Sequence, residues 1–471
     1  MNPTYSMALG ETAVDAVPKS HRVYFEVFGC QMNKLDAELM LENLTQSGYQ
    51  LTHDPDEAGV ILFNTCSVRF QAENRVISRM GTLKARKARE PELVLALTGC
   101  IAQHHEEKLF RRLPHLDLVV GTREFHLLPE LIDETRGGER APRLATAMDS
   151  PLEFQRTRNL GPNPHHAYVS VMRGCDMICS YCIVPTTRGK EVSRPPEVIL
   201  AECRRLAQQG VKEITFLGQT VNSYGKRLGV RGVGLHTLLH GVEEIDGLER
   251  IRFITSHPRF MRPMLIDAMG ECSKTCEYLH LPVQSGSDSM LARMKRTYDR
   301  ERYLRVVERC RETIPGFSIA TDFIVGFPGE TDAEFEESLT LVREVGFDHG
   351  YVFKYSPRPG TEAHLQEDDV PEAVKKERNN ILLDALHESA LEKNQKRVGE
   401  TVEVLIDGES KTDASRWTGR TRDHRIVVWP HRPEDRPGEF IQVRVEEATA
   451  FTLIGRAADE STSPAESRAA Q

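Results

Sequence analysis

The chain has 471 residues, 39% apolar and 28% charged, which excludes both a single hydrophobic core and a disordered polymer and leads to an expectation of two or three domains. Its 61 basic and 70 acidic residues give a formal charge of −9, so it is not a uniformly basic nucleic-acid coat, and any such contact is confined to a local basic surface. No apolar run approaches the ~18–20 residues of a membrane span, and the N-terminus has neither the basic start nor the apolar core of a signal peptide. A cytoplasmic protein without a membrane partner is expected, and in it ten cysteines point to metal or catalysis rather than to disulfides.

Residues 1–20 and 459–471 are polar and aperiodic and read as disordered tails. From 21 to 137, three β-branched runs, VYFEVFGC, GVILFNTC and LVLALTGC, each end on a cysteine and lead into an amphipathic segment such as NKLDAELMLENLTQSGY. That alternation predicts βαβ units of a parallel α/β sheet. The Pro-, Arg- and Asn-rich stretch 138–165 reads as a linker. Between 166 and 397, the runs YVSVMRGC, EITFLGQ, RIRFITSHP, YLHLPVQSG, FSIATDFIVGFPG and HGYVFKYSPRPG alternate with helical segments and end in a long charged helix. They predict a partial (β/α) barrel whose functional groups sit at strand C-terminal ends. Residues 398–458 carry short β runs, TVEVLI, RIVVWP and FIQVRVEEA, expected to form a small all-β barrel.

The most specific motif is RGCDMICSYC, which places Cys175, Cys179 and Cys182 on one tight loop after the first barrel strand. Three thiolates there can hold three irons of a 4Fe-4S cluster and leave the fourth open to chelate S-adenosylmethionine (SAM) and reduce it. A zinc site or three structural cysteines are the other readings, although zinc usually closes with a fourth ligand. Cys30, Cys66 and Cys100 are separated by 36 and 34 positions, about one βαβ period. Ending parallel strands, they must emerge on one sheet edge, where open α/β sheets bind ligands. A second three-thiolate cluster site is expected there, the alternative being small buried hydrophobes. Cys203, Cys272, Cys276 and Cys310 fit helices or helix ends and read as free thiols.

With FGCQMN, NTCSVR, CSYCIVPTTRGKE, FITSHP, LHLPVQSGSD, DFIVGFPGET and FKYSPRPGT, the chain resembles the radical-SAM methylthiotransferases, and among them the tRNA-acting MiaB branch. The resemblance spans nearly everything outside the tails and implies a methylthiotransferase N-terminal domain, a radical-SAM barrel and a C-terminal TRAM barrel. Met177, Ile178 and Thr220 depart from the family's usual residues without replacing a ligand. The implied reaction converts N(6)-dimethylallyladenosine beside the tRNA anticodon to its 2-methylthio derivative. One SAM is the methyl donor, a second the source of a 5′-deoxyadenosyl radical, and a second 4Fe-4S cluster on Cys30, Cys66 and Cys100 holds the sulfur. Another tRNA adenosine or a ribosomal-protein aspartate is the same-fold alternative, and a non-catalytic, metal-containing RNA-binding protein is the alternative of a different class.

SAM is expected across the barrel mouth, on strand-end groups Gln219, Gln284, Ser285, Asp322 and Gly326. Each could equally cap a buried strand. The segment KTDASRWTGRTRDHR supplies Arg416, Trp417, Arg420 and Arg422 as candidate RNA contacts. Trp417 is expected either to stack a flipped-out base or to sit in the barrel core. The segments ARMKRTYDRERYLR and LKARKAR are further basic runs that can equally be solvated helix faces. Expected partners are the tRNA anticodon stem-loop, an electron donor and a sulfur or cluster-repair donor, and the chain is expected to be a monomer.

Overall fold

The computed structural model describes residues 17–67, 70–137, 141–149, 156–159 and 161–458. The expected tail 459–471 lies outside the described residues, as does all of the N-terminal one except 17–20. Two compact units are present: Met1–Gly210 with Ile214–Val233 and Ser356–Leu365, and Val211–Glu213 with Gly234–Tyr355 and Gln366–Gln471.

The first unit opens with a six-stranded parallel sheet: β1 (Arg22–Val27), β2 (Gln50–Thr52), β3 (Val60–Thr65), β4 (Val94–Gly99), β5 (Leu118–Val120) and β6 (Arg143–Ala145), in the order β2-β1-β3-β4-β5-β6. β3 and β4 are buried along their whole length, as strands covered on both faces must be. Their side chains alternate between two cores: Val60, Leu62, Val94 and Ala96 enter one, and Ile61, Phe63, Leu95 and Leu97 the other.

The stretch expected as a linker contributes β6 to this sheet, paired with β5. A three-residue edge strand in Pro-rich sequence has no readable period, which is why composition alone hid it. Further along, Arg156 is buried against Glu38 at 2.6 Å and donates to the Tyr168 carbonyl, while the Thr157 amide donates to Glu42. This part of the stretch is fastened to the helix Gln31–Gln46. The same unit holds β7 (His166–Ser170), β8 (Met172–Arg173), β9 (Val192–Ser193) and most of β10 (Glu213–Leu217), with β10 beside β7 and β8 antiparallel to β9.

The second unit carries β11 (Arg250–Phe253), β12 (Tyr278–His280), β13 (Ser318–Val325) and β14 (His349–Lys354), with β12, β13 and β14 parallel and adjacent. Helix Asp332–Val345 begins on a Thr331–Glu334 capping box and ends on left-handed Gly346, a complete pair of stop signals. After helix Glu372–Gln395 comes a closed five-stranded barrel of β15 (Thr401–Glu409), β16 (Arg416–Arg420), β17 (Ile426–Pro430), β18 (Phe440–Ala448) and β19 (Thr452–Ala457). Its core includes Val404, Ile406, Trp417, Val427, Trp429, Val443 and Leu453. Among the described residues no helix is long and apolar enough to cross a membrane.

Candidate functional site

Because β1, β3 and β4 are neighbours in register, Val27 opposite Asn64 and Thr65 opposite Gly99, their C-terminal ends stand side by side. Cys30 caps the helix after β1, Cys66 follows β3 directly, and Cys100 opens the helix after β4. Gly29 and Gly99 make the turns, with φ of +129° and +87°. A Cβ on Gly29 would lie 2.3 Å from Cys66 Cβ, and one on Gly99 2.4 Å from Asn64 Oδ1 and 2.6 Å from the Thr65 carbonyl. The backbone therefore approaches the cysteines as closely as only glycine allows. Gly99→Ala is expected to cost about 1–3 kcal/mol, read as a lower thermal midpoint; an unchanged midpoint would show that the turn can relax.

Asn33 and Asn64 brace the three ends. Asn33 Nδ2 donates to the Thr65 carbonyl at 2.6 Å, Asn64 Nδ2 donates to the Asn33 carbonyl at 2.6 Å, and the Cys30 thiol donates to Asn33 Oδ1 at 3.2 Å. The hydrogen bond with Cys66, helped by Arg188, holds the Cys30 thiol down at about 6 against the effect of burial. Burial pushes the Cys100 thiol up, with Arg188 opposing. Arg358 lies near Cys66. Among the described residues no group of three His, Cys, Asp or Glu side chains is arranged to hold a metal ion. Three thiols that each take a different iron of a cluster need not converge on a point, and the interacting Cys30, Cys66 and Cys100 fit that arrangement.

The second cysteine loop follows β8 in the same unit. Gly174, at φ +78°, passes so close to the Lys190 carbonyl that a Cβ would lie 2.1 Å from it. Its amide donates to Gln219 Oε1 at 2.6 Å. Gln219, expected on SAM, thus holds the loop backbone. Cys175 is buried, with its sulfur 3.2 Å from Thr220 Oγ1, while Cys179 and Cys182 are half-exposed and joined by a backbone hydrogen bond from Cys182 to Cys179. Burial raises the Cys175 thiol, and Thr220 and the Met177 amide oppose the shift. Thr220, noted only as a departure in the sequence, is therefore in contact with a candidate ligand.

The other SAM candidates lie in the second unit. Gln284 has φ +76° and its amide donates to the Asp322 carbonyl; Asp322 Oδ1 stands 3.3 Å from His280 Nε2. Strained non-glycine backbone of this kind gathers at functional sites. Ser285 is buried and engaged with Ser338 and the Ser287 amide. Gly326, at φ +67°, leaves room for Lys375, whose Cγ a Cβ would meet at 2.3 Å, and its amide donates to Glu330.

In the C-terminal barrel the middle of the segment KTDASRWTGRTRDHR is strand β16. Its alternation sends Trp417 and Gly419 inward and leaves Arg416 and Arg420 partly exposed. Trp417 is 7% exposed, stacks on His431 and donates to the Arg432 carbonyl at 3.3 Å. Of its two expected roles, it takes the core one. Arg422 binds Glu277 and the carbonyls of Ser273 and Thr275, which commits it to packing as well. Arg416 and Arg420, paired with Asp413 and Asp407 at 3.3 and 3.7 Å, keep an outward charge. Arg86 of LKARKAR is buried on the carbonyls of Pro55 and Ala58. Cys203, Cys272 and Cys310 are buried free thiols at helices or helix ends, whereas Cys276, expected there too, is a buried free thiol in the segment leading into β12, because the helix stops at Glu271.

What the sequence reading missed is the buried polar shell: Asp36, Arg173 and Arg188. One signal was available. NKLDAELMLENL sets Asp36, Glu38 and Glu42 among the leucines and methionines of one helix, and all three are buried in the fold, where a carboxylate needs a partner.

Three families match along the chain: uncharacterized protein family UPF0004 over residues 22–121, the radical SAM superfamily over 169–342, and the TRAM domain over 395–458. The tRNA-2-methylthio-N(6)-dimethylallyladenosine synthase of Akkermansia muciniphila is 43% identical over 451 residues, 92% of this chain and 98% of that one. The synthase of the same name from Symbiobacterium thermophilum is 44% identical over 446 residues, 92% and 94% of the two chains. A structure of the radical S-adenosylmethionine methyltransferase TsrM from Kitasatospora setae shares the fold, with a TM-score of 0.55 and 14% identity over 73% of this chain and 75% of that one. Radical SAM membership implies a 4Fe-4S cluster and SAM. The chain belongs to the tRNA-2-methylthio-N(6)-dimethylallyladenosine synthase family of radical SAM enzymes.

Proposed function

We propose that this chain converts N(6)-dimethylallyladenosine, next to the anticodon of tRNA, to 2-methylthio-N(6)-dimethylallyladenosine, with SAM as both methyl donor and radical source. The observation that carries the reading is the convergence of Cys30, Cys66 and Cys100 on neighbouring strand ends in a chain that also bears the Cys175, Cys179 and Cys182 loop. The target ring carbon carries a strong, non-acidic C–H bond that no side-chain base removes, so a radical route is required, and sulfur must be held apart from the radical source. When bound, the two 4Fe-4S clusters supply an electron to the SAM sulfonium and a seat for sulfur.

The chain's own groups do the rest. Cys175, Cys179 and Cys182 hold one cluster on a loop that Gln219 fixes through the Gly174 amide. Cys30, Cys66 and Cys100 hold the second on an edge braced by Asn33 and Asn64. Gln284 and Asp322 remain as candidates to orient SAM, and Arg416 and Arg420 to meet the phosphates of the anticodon stem-loop. An electron donor and a sulfur donor complete the set of partners, and the setting is the cytoplasm.

Anaerobically reconstituted protein given SAM, a reductant and isopentenylated tRNA is expected to yield the 2-methylthio nucleoside together with 5′-deoxyadenosine in a nucleoside digest. Release of 5′-deoxyadenosine with the tRNA left unchanged would refute this substrate.

A further inference from the structure

The N-terminal cysteine edge is backed by a buried cationic node. Asp36, on the helix that Cys30 caps, has no solvent exposure and receives two buried guanidiniums, Arg173 Nη2 at 2.8 Å and Arg188 Nη2 at 2.7 Å. One carboxylate between two guanidiniums leaves one positive charge in excess. Both Arg188 Nη atoms are buried with no aligned hydrogen-bond acceptor, and the guanidinium, on a short helix packed against the one that Cys100 opens, lies beside Cys30 and Cys100. A buried charge with an unused donor is costly unless an anionic acceptor stands against it. Thiolates and the sulfides of a cluster are acceptors of that kind, and hydrogen bonds and charge at the sulfurs are what tune such centres. Arg173 and Arg188 also bracket the other cysteine loop, so one carboxylate fastens both loops within the unit.

We propose that Arg188, held by Asp36 beside Arg173, is a positioning residue for the N-terminal cluster: its fixed, buried charge beside Cys30 and Cys100 raises the cluster's reduction potential. The inference rests on the reading of Cys30, Cys66 and Cys100 as cluster ligands. A cation beside the centre favours the reduced, more negative state.

The test uses the full chain with Cys175, Cys179 and Cys182 replaced by alanine, so that only the N-terminal cluster is reconstituted, followed by a redox titration read by visible and electron paramagnetic resonance spectra. Arg188→Gln is expected to lower the reduced-to-oxidised ratio at a given potential at least tenfold, about 59 mV for a one-electron couple, and Arg188→Lys to recover most of it. Loss of the cluster in the Gln variant with retention in the Lys variant also supports the assignment. Equal potentials in parent and Gln variant at equal iron and acid-labile sulfide content would overturn it, as would equal loss of cluster in the Gln and Lys variants. A parent that binds no iron-sulfur centre would instead bring down the ligand reading itself, before Arg188 is altered.

Discussion

Cys30→Ala is expected to abolish the 2-methylthio nucleoside while leaving reductive cleavage of SAM, and Cys175→Ala to abolish both. The two cysteines lie in one compact unit but in different surroundings. Cys30 shares its sheet edge with Cys66 and Cys100, whereas Cys175 contacts Thr220 and the Met177 amide on its own loop. Loss of an outer partner of a metal ligand costs about 10–100-fold, so loss of the ligand itself should exceed about 100-fold in product. 5′-Deoxyadenosine and modified nucleoside measured in one reaction separate the two functions. A Cys30→Ala protein that still forms product would end the assignment of sulfur delivery to the N-terminal edge.

Arg425→Ala is expected to destabilise the second unit by about 3–5 kcal/mol. Arg425 is buried and donates to Asp348 at 2.7 Å, to Asn394 at 2.8 Å and to Asp423. Lys393 and Arg397 complete the network on the same two carboxylates, at 2.9 and 2.7 Å. It ties the start of β14, the end of helix Glu372–Gln395 and the turn between β16 and β17 to one another. Removing the central guanidinium leaves two buried carboxylates short of positive charge, a larger penalty than the pair's net contribution. Burial pushes the Asp423 carboxyl upward, but Arg425 and Arg397 outweigh it and hold it below its ordinary value. Between the folded and unfolded values the unfolded chain binds more protons, so stability rises with pH there. Asp423's contribution is complete above the unfolded carboxylate value of about 3.9 and fades as acid approaches the lower folded value. Denaturant unfolding of the Arg425→Ala variant should show a weaker acid dependence in this range, and a loss below about 1 kcal/mol would mean that water already screens the network.

The chemistry-bearing residues were legible in the sequence because their evidence is local. A cysteine triad within eight positions and three strand-ending cysteines one βαβ period apart announce themselves by spacing, and parallel topology then obliges the second set to share an edge. The α/β order, the central strand-helix alternation and the C-terminal β-barrel were legible for the same reason: period and breaker signals act within a few residues.

The tertiary structure decided which way each side chain faces and which distant group meets it. RWTGR left Trp417 either stacking a base or in the barrel core, and strand pairing put it in the core. The three-residue β6 exists only because β5 offers it an edge. Asp36, one of three buried acids in its helix, became the seat of two arginines from beyond the N-terminal sheet. The sequence by itself determined what chemistry this protein can hold, since ligand type and spacing are properties of short segments. Only the fold decided how that chemistry is charged and braced, because burial makes each lone ionised group find a partner, and that partner is chosen by packing across the chain.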